Sequence, residues 1–558
     1  MHFVRVSRAR WPCLTVASSK TWGHLQRPAS ACGEVFGCVR IAVALVILSL
    51  LGGCGHLPVN PDRLPVMATN PPRDSTLATV IKASQPSPEL SGFRLLPLGI
   101  FSLDARLKLI EKAEHTIDIQ YYVIADDASG NLLLQGLRDA SLRGVRVRLL
   151  VDDLYTTQTQ QRLRALTVMP RFEVRLFNPF CCARSGAIVR RFAASLLDFS
   201  RLNHRMHNKL FVVDGVAAIA GGRNIADEYF TRNPSQNFID MDCFIVGAVV
   251  PQLERLFDRY WNSEASYPIA ALVDPTASDA ELAVNLERLV GPTRMDPLSN
   301  LPDTDVLGYG PLSEDLVAGR IGLIWGIAQA VADHPDRVMR HEAEHAYVDS
   351  AAMSVLDLLR TAKSEVMISS PYLVPGHRGM ELFADLHAKQ VRATVLTNSL
   401  ASTDEPLVHG GYARYRPAML RLGVDLYELS PTRATRSKRL GLHVFGGSSQ
   451  GRLHAKMAVV DRSIVFFGSL NLDSRSIHKN TEMGVVVESP ELAREMLRVL
   501  SISRLQSTYR VRLREDGGLQ WISQDGDREL TLNEEPEASV LTKLLSVLFA
   551  GFIPEGQL

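Results

Sequence analysis

His207-Asn208-Lys209-Leu210-Phe211-Val212-Val213-Asp214 and His454-Ala455-Lys456-Met457-Ala458-Val459-Val460-Asp461 are two copies of one eight-residue pattern, HxKxxxxD. Further residues repeat in register: Gly221 answers to Gly468 and Asn224 to Asn471, all at an offset of 247 residues. A lone HxK is a weak signal. Two copies followed by Gly and Asn at the same distances are a specific one, because a histidine kept for packing has no reason to recur with its lysine and asparagine.

The pattern suits phosphoryl chemistry. Side chains alternate faces along a strand, so His and Lys two residues apart point the same way. The apolar run after each lysine buries the strand and leaves an imidazole and an ammonium group at its mouth. Two facing halves would set His207 and His454 on opposite sides of one phosphorus. Lys209, Lys456, Asn224 and Asn471 would then neutralise the equatorial oxygens. In-line displacement at a phosphodiester needs a nucleophile and a proton donor to the leaving alkoxide, and paired histidines serve as both without metal or cofactor. A carboxylate on the second ring nitrogen would fix each tautomer. Asp240, in Phe238-Ile239-Asp240, and Glu482, in Asn480-Thr481-Glu482, are the expected orienting groups, with Asp242 a weaker alternative. Asp214 and Asp461 complete the two catalytic motifs. Their odd spacing from the histidines puts them on the other strand face, and Asp214-Gly215 has turn composition, so a structural role is expected of both.

Around the motifs the chain alternates helix and strand. Helical spacing over Leu103–Glu114 precedes a strand at Thr116–Val123, a helix at Asn131–Arg143 and an apolar strand at Val145–Val151, which ends at Asp152-Asp153. The same order returns as helix Ala352–Ala362, strand Glu365–Ser369, helix Met380–Lys389 and strand Val391–Thr397. The expected architecture is α/β: two similar α/β/α sandwiches, residues 93–300 and 351–515, joined by a linker at 301–350 and followed by a C-terminal extension at 516–558.

The 558 residues are 46% hydrophobic and 22% charged with a formal net charge of +1, which excludes a disordered tail or a strongly basic nucleic-acid binder. That balance is a sum over unlike parts. Residues 1–53 hold six cationic side chains against Glu34 alone, and the remainder is slightly acidic. From Ile41 to Gly53 the chain reads IAVALVILSLLGG, uncharged, after Arg40 and before Cys54. A spanning helix needs about 20 apolar residues, so this run has the length of a signal-peptide core instead. Leu51-Gly52-Gly53-Cys54 resembles a bacterial lipobox, which implies acylation of Cys54, a tether over 54–92 and a lipid-anchored protein in the cell envelope facing the periplasm. Residues 1–38 do not fit a compact leader, and translation from near Val39 is the expected start. Cys181, Cys182 and Cys243 offer neither a disulfide framework nor zinc spacing. The cluster Arg190, Arg191, Arg201 and Arg205 and the apolar stretch Val540–Phe552 are candidate lipid-facing features, each equally explained as a solvated face or a core helix.

Both motifs, with Gly221-Gly222-Arg223-Asn224 and Gly468-Ser469-Leu470-Asn471-Leu472-Asp473, resemble the phospholipase D superfamily. Gln120-Tyr121-Tyr122, Arg143-Gly144-Val145-Arg146-Val147, Asp152-Asp153, Asn203-His204-Arg205-Met206-His207, Asn398-Ser399-Leu400 and Thr403-Asp404 bring it nearest to bacterial cardiolipin synthases of the C type. The resemblance runs from about Arg94 to about Arg512. It implies one active site shared by two sandwiches, a phosphohistidine intermediate with His207 the favoured nucleophile and His454 the general acid, and phosphate binding by Lys209, Lys456, Asn224, Asn471 and Ser469. The implied activity is phosphatidyl transfer, in which one phospholipid loses its headgroup alcohol and the headgroup glycerol of phosphatidylglycerol takes the phosphatidyl group to give cardiolipin, with hydrolysis to phosphatidic acid as the alternative. A nuclease fits poorly with an acidic, lipid-anchored chain. A non-enzymatic scaffold fits poorly with both histidines and both lysines present.

Overall fold

The computed structural model describes residues 57, 65–68, 75–180, 199–272, 278–291, 298, 301–339, 350–433, 450–525, 528–540 and 542–544. The leader, Cys54, Cys181, Cys182, Arg190, Arg191 and most of Val540–Phe552 lie outside these residues. No helix among them is long and apolar enough to cross a membrane.

The first half supplies β1 (Ser91–Leu96), β2 (Thr116–Tyr121), β3 (Arg146–Asp152), β4 (Phe172–Phe177), β5 (Leu210–Val213), β6 (Ala217–Gly221), β7 (Gln236–Ile239), β8 (Asp242–Gly247) and β9 (Ser266–Pro268). The second supplies β10 (Ile324–Ala332), β11 (Glu365–Ser369), β12 (Arg392–Asn398), β13 (Asp425–Leu429), β14 (Gln450–Leu453), β15 (Met457–Val460), β16 (Ile464–Gly468), β17 (Met483–Glu488), β18 (Thr508–Leu513), β19 (Leu519–Asp525) and β20 (Arg528–Leu532). Backbone pairing orders the first seven-strand set as β4-β3-β2-β5-β6-β8-β1. It orders the second as β13-β12-β11-β15-β16-β17-β10. The two orders are the same once β5 is laid on β15, so the repeat in sequence is a repeat in topology. Antiparallel pairing of β1 with β10 fuses the halves into one continuous sheet, in which Gly92 lies opposite Trp325. A Cβ on Gly92 would stand about 3 Å from both Val246 and the Trp325 ring, so the join needs glycine there.

The motif strands lie inside the sheet. Every residue of β5 and β15 is buried, as an uninterrupted apolar run covered on both faces should be. Helices Gly99–Lys112 and Ala128–Leu142 cover the outer face of the first half, and Ala351–Arg360 and Gly376–Ala388 that of the second. Helices Val250–Trp261 and Pro490–Ser507 share a third core between the halves, where Phe257, Trp261, Leu492 and Met496 pack with Val212, Val459 and Phe467. Each half is thus an α/β/α layer arrangement, and the inner layer is common to both.

Three segments differ from the sequence expectation. The tether range 54–92 contains helix Thr76–Ser84 and the start of β1, and Ala68 N–H donates to Asp258 at 2.9 Å. Leu77 and Ile81 bury one side of that helix, a pattern too short to stand out among prolines. The range 301–350, expected as a linker, contains β10, which joins the sheets, and helix Leu312–Ala318. The extension after 515 adds β19 and β20 to the edge of the second half.

Candidate active site

The fold crosses the two motifs. β7 of the first half pairs in parallel with β14 of the second, Leu453 opposite Ile239, and His454 N–H donates to Ile239 C=O at 2.8 Å. On the other side Met206 bridges Thr481, and His207 N–H donates to Thr481 C=O at 2.9 Å. Each histidine therefore lies beside the stretch that carries the other half's carboxylate. His207 Nδ1 is 2.9 Å from Glu482 Oε2, and His454 Nδ1 is 2.6 Å from Asp240 Oδ2. Both Nε2 atoms are left for the reacting centre. Asp240 and Glu482 stand where orienting groups were expected, each on the histidine of the opposite half, a pairing that spacing along the chain cannot reveal.

The residue before each histidine is pinned by the end of a neighbouring strand. Asp152, the last residue of β3, accepts Met206 N–H at 2.9 Å and pairs with Arg205. Asn398, the last residue of β12, accepts Leu453 N–H at 2.9 Å and donates to its carbonyl at the same distance. Arg205 is 1% exposed and tied to Asp152, so it is neither a solvated basic face nor free for headgroups. Its place is fixed by the need to neutralise a buried carboxylate.

Lys209 and Lys456 sit on the same strand faces as their histidines and donate to the His207 and His454 carbonyls at 2.6 and 2.5 Å. Burial pulls both ammonium groups down, Lys209 to about 7 against the pull of Glu482, and Lys456 to about 8 against that of Asp240. Burial, with Lys209 and Lys456 nearby, pushes His207 well below the ordinary histidine range and keeps it neutral. A neutral His207 that donates Nδ1–H to Glu482 presents an unprotonated Nε2. His454 is also lowered by burial, with Asp240 opposing the shift. Burial would raise Asp240, yet His454, Lys456 and Arg223 outweigh it and bring its carboxyl down to about 2. Glu482 is raised by burial to about 7.

Asn224 and Asn471 are buried in equivalent places after β6 and β16. Asn224 donates to the Tyr229 hydroxyl at 3.0 Å, and Asn471 Oδ1 has no hydrogen-bond partner among the described residues. Ser469, expected to hold phosphate, instead donates to Glu482 Oε2 at 2.5 Å and accepts Met483 N–H. Its counterpart Gly222 leaves room for Asp240, whose carboxylate lies about 2.2 Å from where a Cβ would stand. Asp242, the weaker orienting alternative, is bound to Ser102 and Arg106 and touches neither histidine. Asp214 and Asp461 lie at the far ends of the motif strands. Each has positive φ and accepts a row of backbone N–H groups, Glu114 to Thr116 and Lys363 to Glu365 respectively. That geometry is structural and places neither at the reacting centre.

Aromatic walls around the histidines had no assigned part in the sequence reading. Tyr122 stands edge-on to His207 with ring centroids 5.2 Å apart, and Tyr229 and Phe238 flank His454 at 5.1 and 4.8 Å. Cys243 is a buried free thiol in β8, consistent with plain packing.

Comparison with known proteins points to one family. Residues 107–261 and 355–501 match the family model described as cardiolipin synthase, PLD-like domain. Cardiolipin synthase C of Escherichia coli is 38% identical over 463 residues, 81% of this chain and 95% of that protein. Cardiolipin synthase 1 of Staphylococcus aureus is 25% identical over 70% of this chain and 63% of its own length. Among solved structures, phosphatidylserine synthase of Haemophilus influenzae superposes with a TM-score of 0.53 at 13% identity, over 86% of this chain and all of that one, which speaks to the fold.

Proposed function

The chain belongs to the cardiolipin synthase, phospholipase D-like family, and from that premise we propose that it joins two phospholipids into cardiolipin through a phosphohistidine. It is an enzyme, a phospholipid phosphatidyltransferase. The observation that carries the mechanism is the crossed pair of buried histidines, each held through Nδ1 by a carboxylate of the opposite half.

In the first step His207 Nε2 attacks the phosphorus of phosphatidylglycerol. The P–O bond to the headgroup glycerol breaks, and protonated His454 gives its proton to the leaving alkoxide. Phosphatidyl-His207 and free glycerol result. Lys209, Lys456 and the two asparagines oppose the charge on the phosphorane oxygens in a dry site, where fixed donors act most strongly. In the second step the terminal headgroup hydroxyl of a second phosphatidylglycerol attacks from the His454 side and passes its proton to His454, while the P–N bond breaks, restores His207 and releases cardiolipin. Water in place of that hydroxyl gives phosphatidic acid. The buried aromatic walls and the cross-half strand pairs favour transfer by limiting water.

Lipidation of Cys54 would hold this site at the envelope membrane, facing the periplasm. Acidic balance over residues 54–558 argues against a nucleic-acid substrate. Purified protein incubated with labelled phosphatidylglycerol should yield cardiolipin and glycerol on thin-layer separation. Phosphatidic acid as sole product would replace the synthase reading with hydrolysis.

A further inference from the structure

The two sides of the site differ where the motif is silent. Tyr122 directly follows β2, and Tyr372 lies past the end of β11 at the place Val123 holds in the first half. On the His207 side the Tyr122 ring meets the Tyr155 ring edge-on, with centroids 5.4 Å apart. On the His454 side the Tyr372 hydroxyl meets a carboxylate instead, and donates to Asp404 Oδ2 at 2.6 Å. The His454 side thus carries a charged acceptor, and the His207 side a pair of rings.

Asp404 Oδ1 is shielded from solvent and has no hydrogen-bond partner among the described residues. The Asp404 charge acts on His454, Lys456, Tyr229 and Glu228, which places the carboxylate at the His454 side of the mouth. The rings of Tyr229 and Tyr372 lie 5.1 and 6.4 Å from that of His454. A shielded carboxylate oxygen without a donor is costly in the empty protein and is satisfied when a ligand brings one. In-line transfer brings both the leaving and the entering alcohol to this side, opposite His207.

We propose that Asp404, positioned by Tyr372 and flanked by Glu228, is a specificity-determining residue that selects the entering alcohol. Its free oxygen accepts a hydrogen bond from the hydroxyl next to the reacting one, so the site prefers a vicinal diol such as glycerol over a simple alcohol. Asp404 exchanges no proton in the step. The O–P bond forms, the P–N bond to His207 breaks, and the proton goes to His454. This assignment rests on the transferase reading and deepens it.

The test is a competition on the detergent-solubilised full chain, with unlabelled phosphatidylglycerol as donor and isotope-labelled glycerol or 1-propanol as acceptor, label entering lipid being the readout. Wild type should favour glycerol. D404N should lower the glycerol-to-propanol ratio of kcat/KM by about tenfold through a raised glycerol KM, as loss of a hydrogen bond to a charged group predicts. E228Q, made separately in case D404N folds poorly, should move the ratio the same way by less. Parallel losses with both alcohols, or an unmoved ratio in both variants, would overturn the assignment. Failure of wild type to transfer to either alcohol would overturn the transferase reading, and this assignment with it.

Discussion

The His207 and His454 sides of the site share a backbone plan and differ in charge. On one side Glu482, raised to about 7, takes a hydrogen bond from Ser469 and faces a histidine held well below its ordinary range. On the other, Asp240 stays ionised down to about 2, packs against Gly222 and faces a histidine less strongly depressed. The difference teaches how a duplicated motif becomes a directional site. The side with the weaker counter-charge keeps its imidazole neutral for attack, and the side with the permanent carboxylate favours a proton on its imidazole. A hydroxymethyl group and a methylene, Ser469 for Gly222 and Glu482 for Asp240, distinguish the settings of the two orienting carboxylates.

The largest effects should come from removing either imidazole. H207A and H454A should each reduce cardiolipin formation by about 10³-fold or more. An aryl phosphodiester, whose phenolate leaves without a proton, should restore cleavage in H454A and not in H207A. Equal losses on both substrates would erase the asymmetry. Next come the carboxylates, where D240N and E482Q should each cost on the order of 10²-fold in kcat/KM. D240N removes the charge that holds the His454 pKa up, so the alkaline limb of its pH–rate profile should move to lower pH. An unmoved limb would detach Asp240 from His454.

Much of this was legible in the chain. The motif copies and the helix–strand order around them followed from alternation and register, because a buried strand with polar residues at its mouth has few alternatives, and Asp240 and Glu482 stood out as candidates by their place beyond each motif. The crossing was not legible. Which carboxylate meets which histidine depends on β7 pairing with β14 and Met206 bridging Thr481, contacts between residues more than 200 positions apart. Ser469 looked like a phosphate ligand because it stands in the motif, yet its hydroxyl is taken by Glu482. Arg205 looked like part of a basic surface until Asp152 accounted for it. β10 does not stand out in the supposed linker because its residues, Ile324 to Ala332, are almost all apolar and mostly half-buried, so they carry no period-two signal.

Smaller effects test the support beneath each side. D152N would leave the buried Arg205 guanidinium without its counter-charge and should destabilise the fold by about 3–5 kcal/mol. N398A removes neutral hydrogen bonds from the Leu453 backbone and should cost about 1–3 kcal/mol by urea unfolding. A reversed order would contradict the assignment of the larger cost to the unpaired Arg205 charge. The lysines give the mildest signal. Their folded-state pKa values of about 7 and 8 lie below the ordinary 10.5, so the unfolded chain binds more protons between those limits. Their contribution to stability is present above 10.5 and is lost as pH falls through about 8 to 7. The empty protein should therefore gain thermal stability from pH 7 to pH 9, and K209M should flatten that rise while abolishing transfer. A rise of the same slope in K209M would assign the pH dependence elsewhere.

The central claim is that the phosphatidyl group passes through His207. Its most direct measurement is rapid quenching of wild type, H207A and H454A after mixing with phospholipid labelled in the phosphodiester phosphorus, followed by peptide mapping of acid-labile label. The account predicts label on the peptide containing His207 in wild type and, with an aryl donor, its accumulation in H454A. Label on His454, or label retained in H207A, would contradict it.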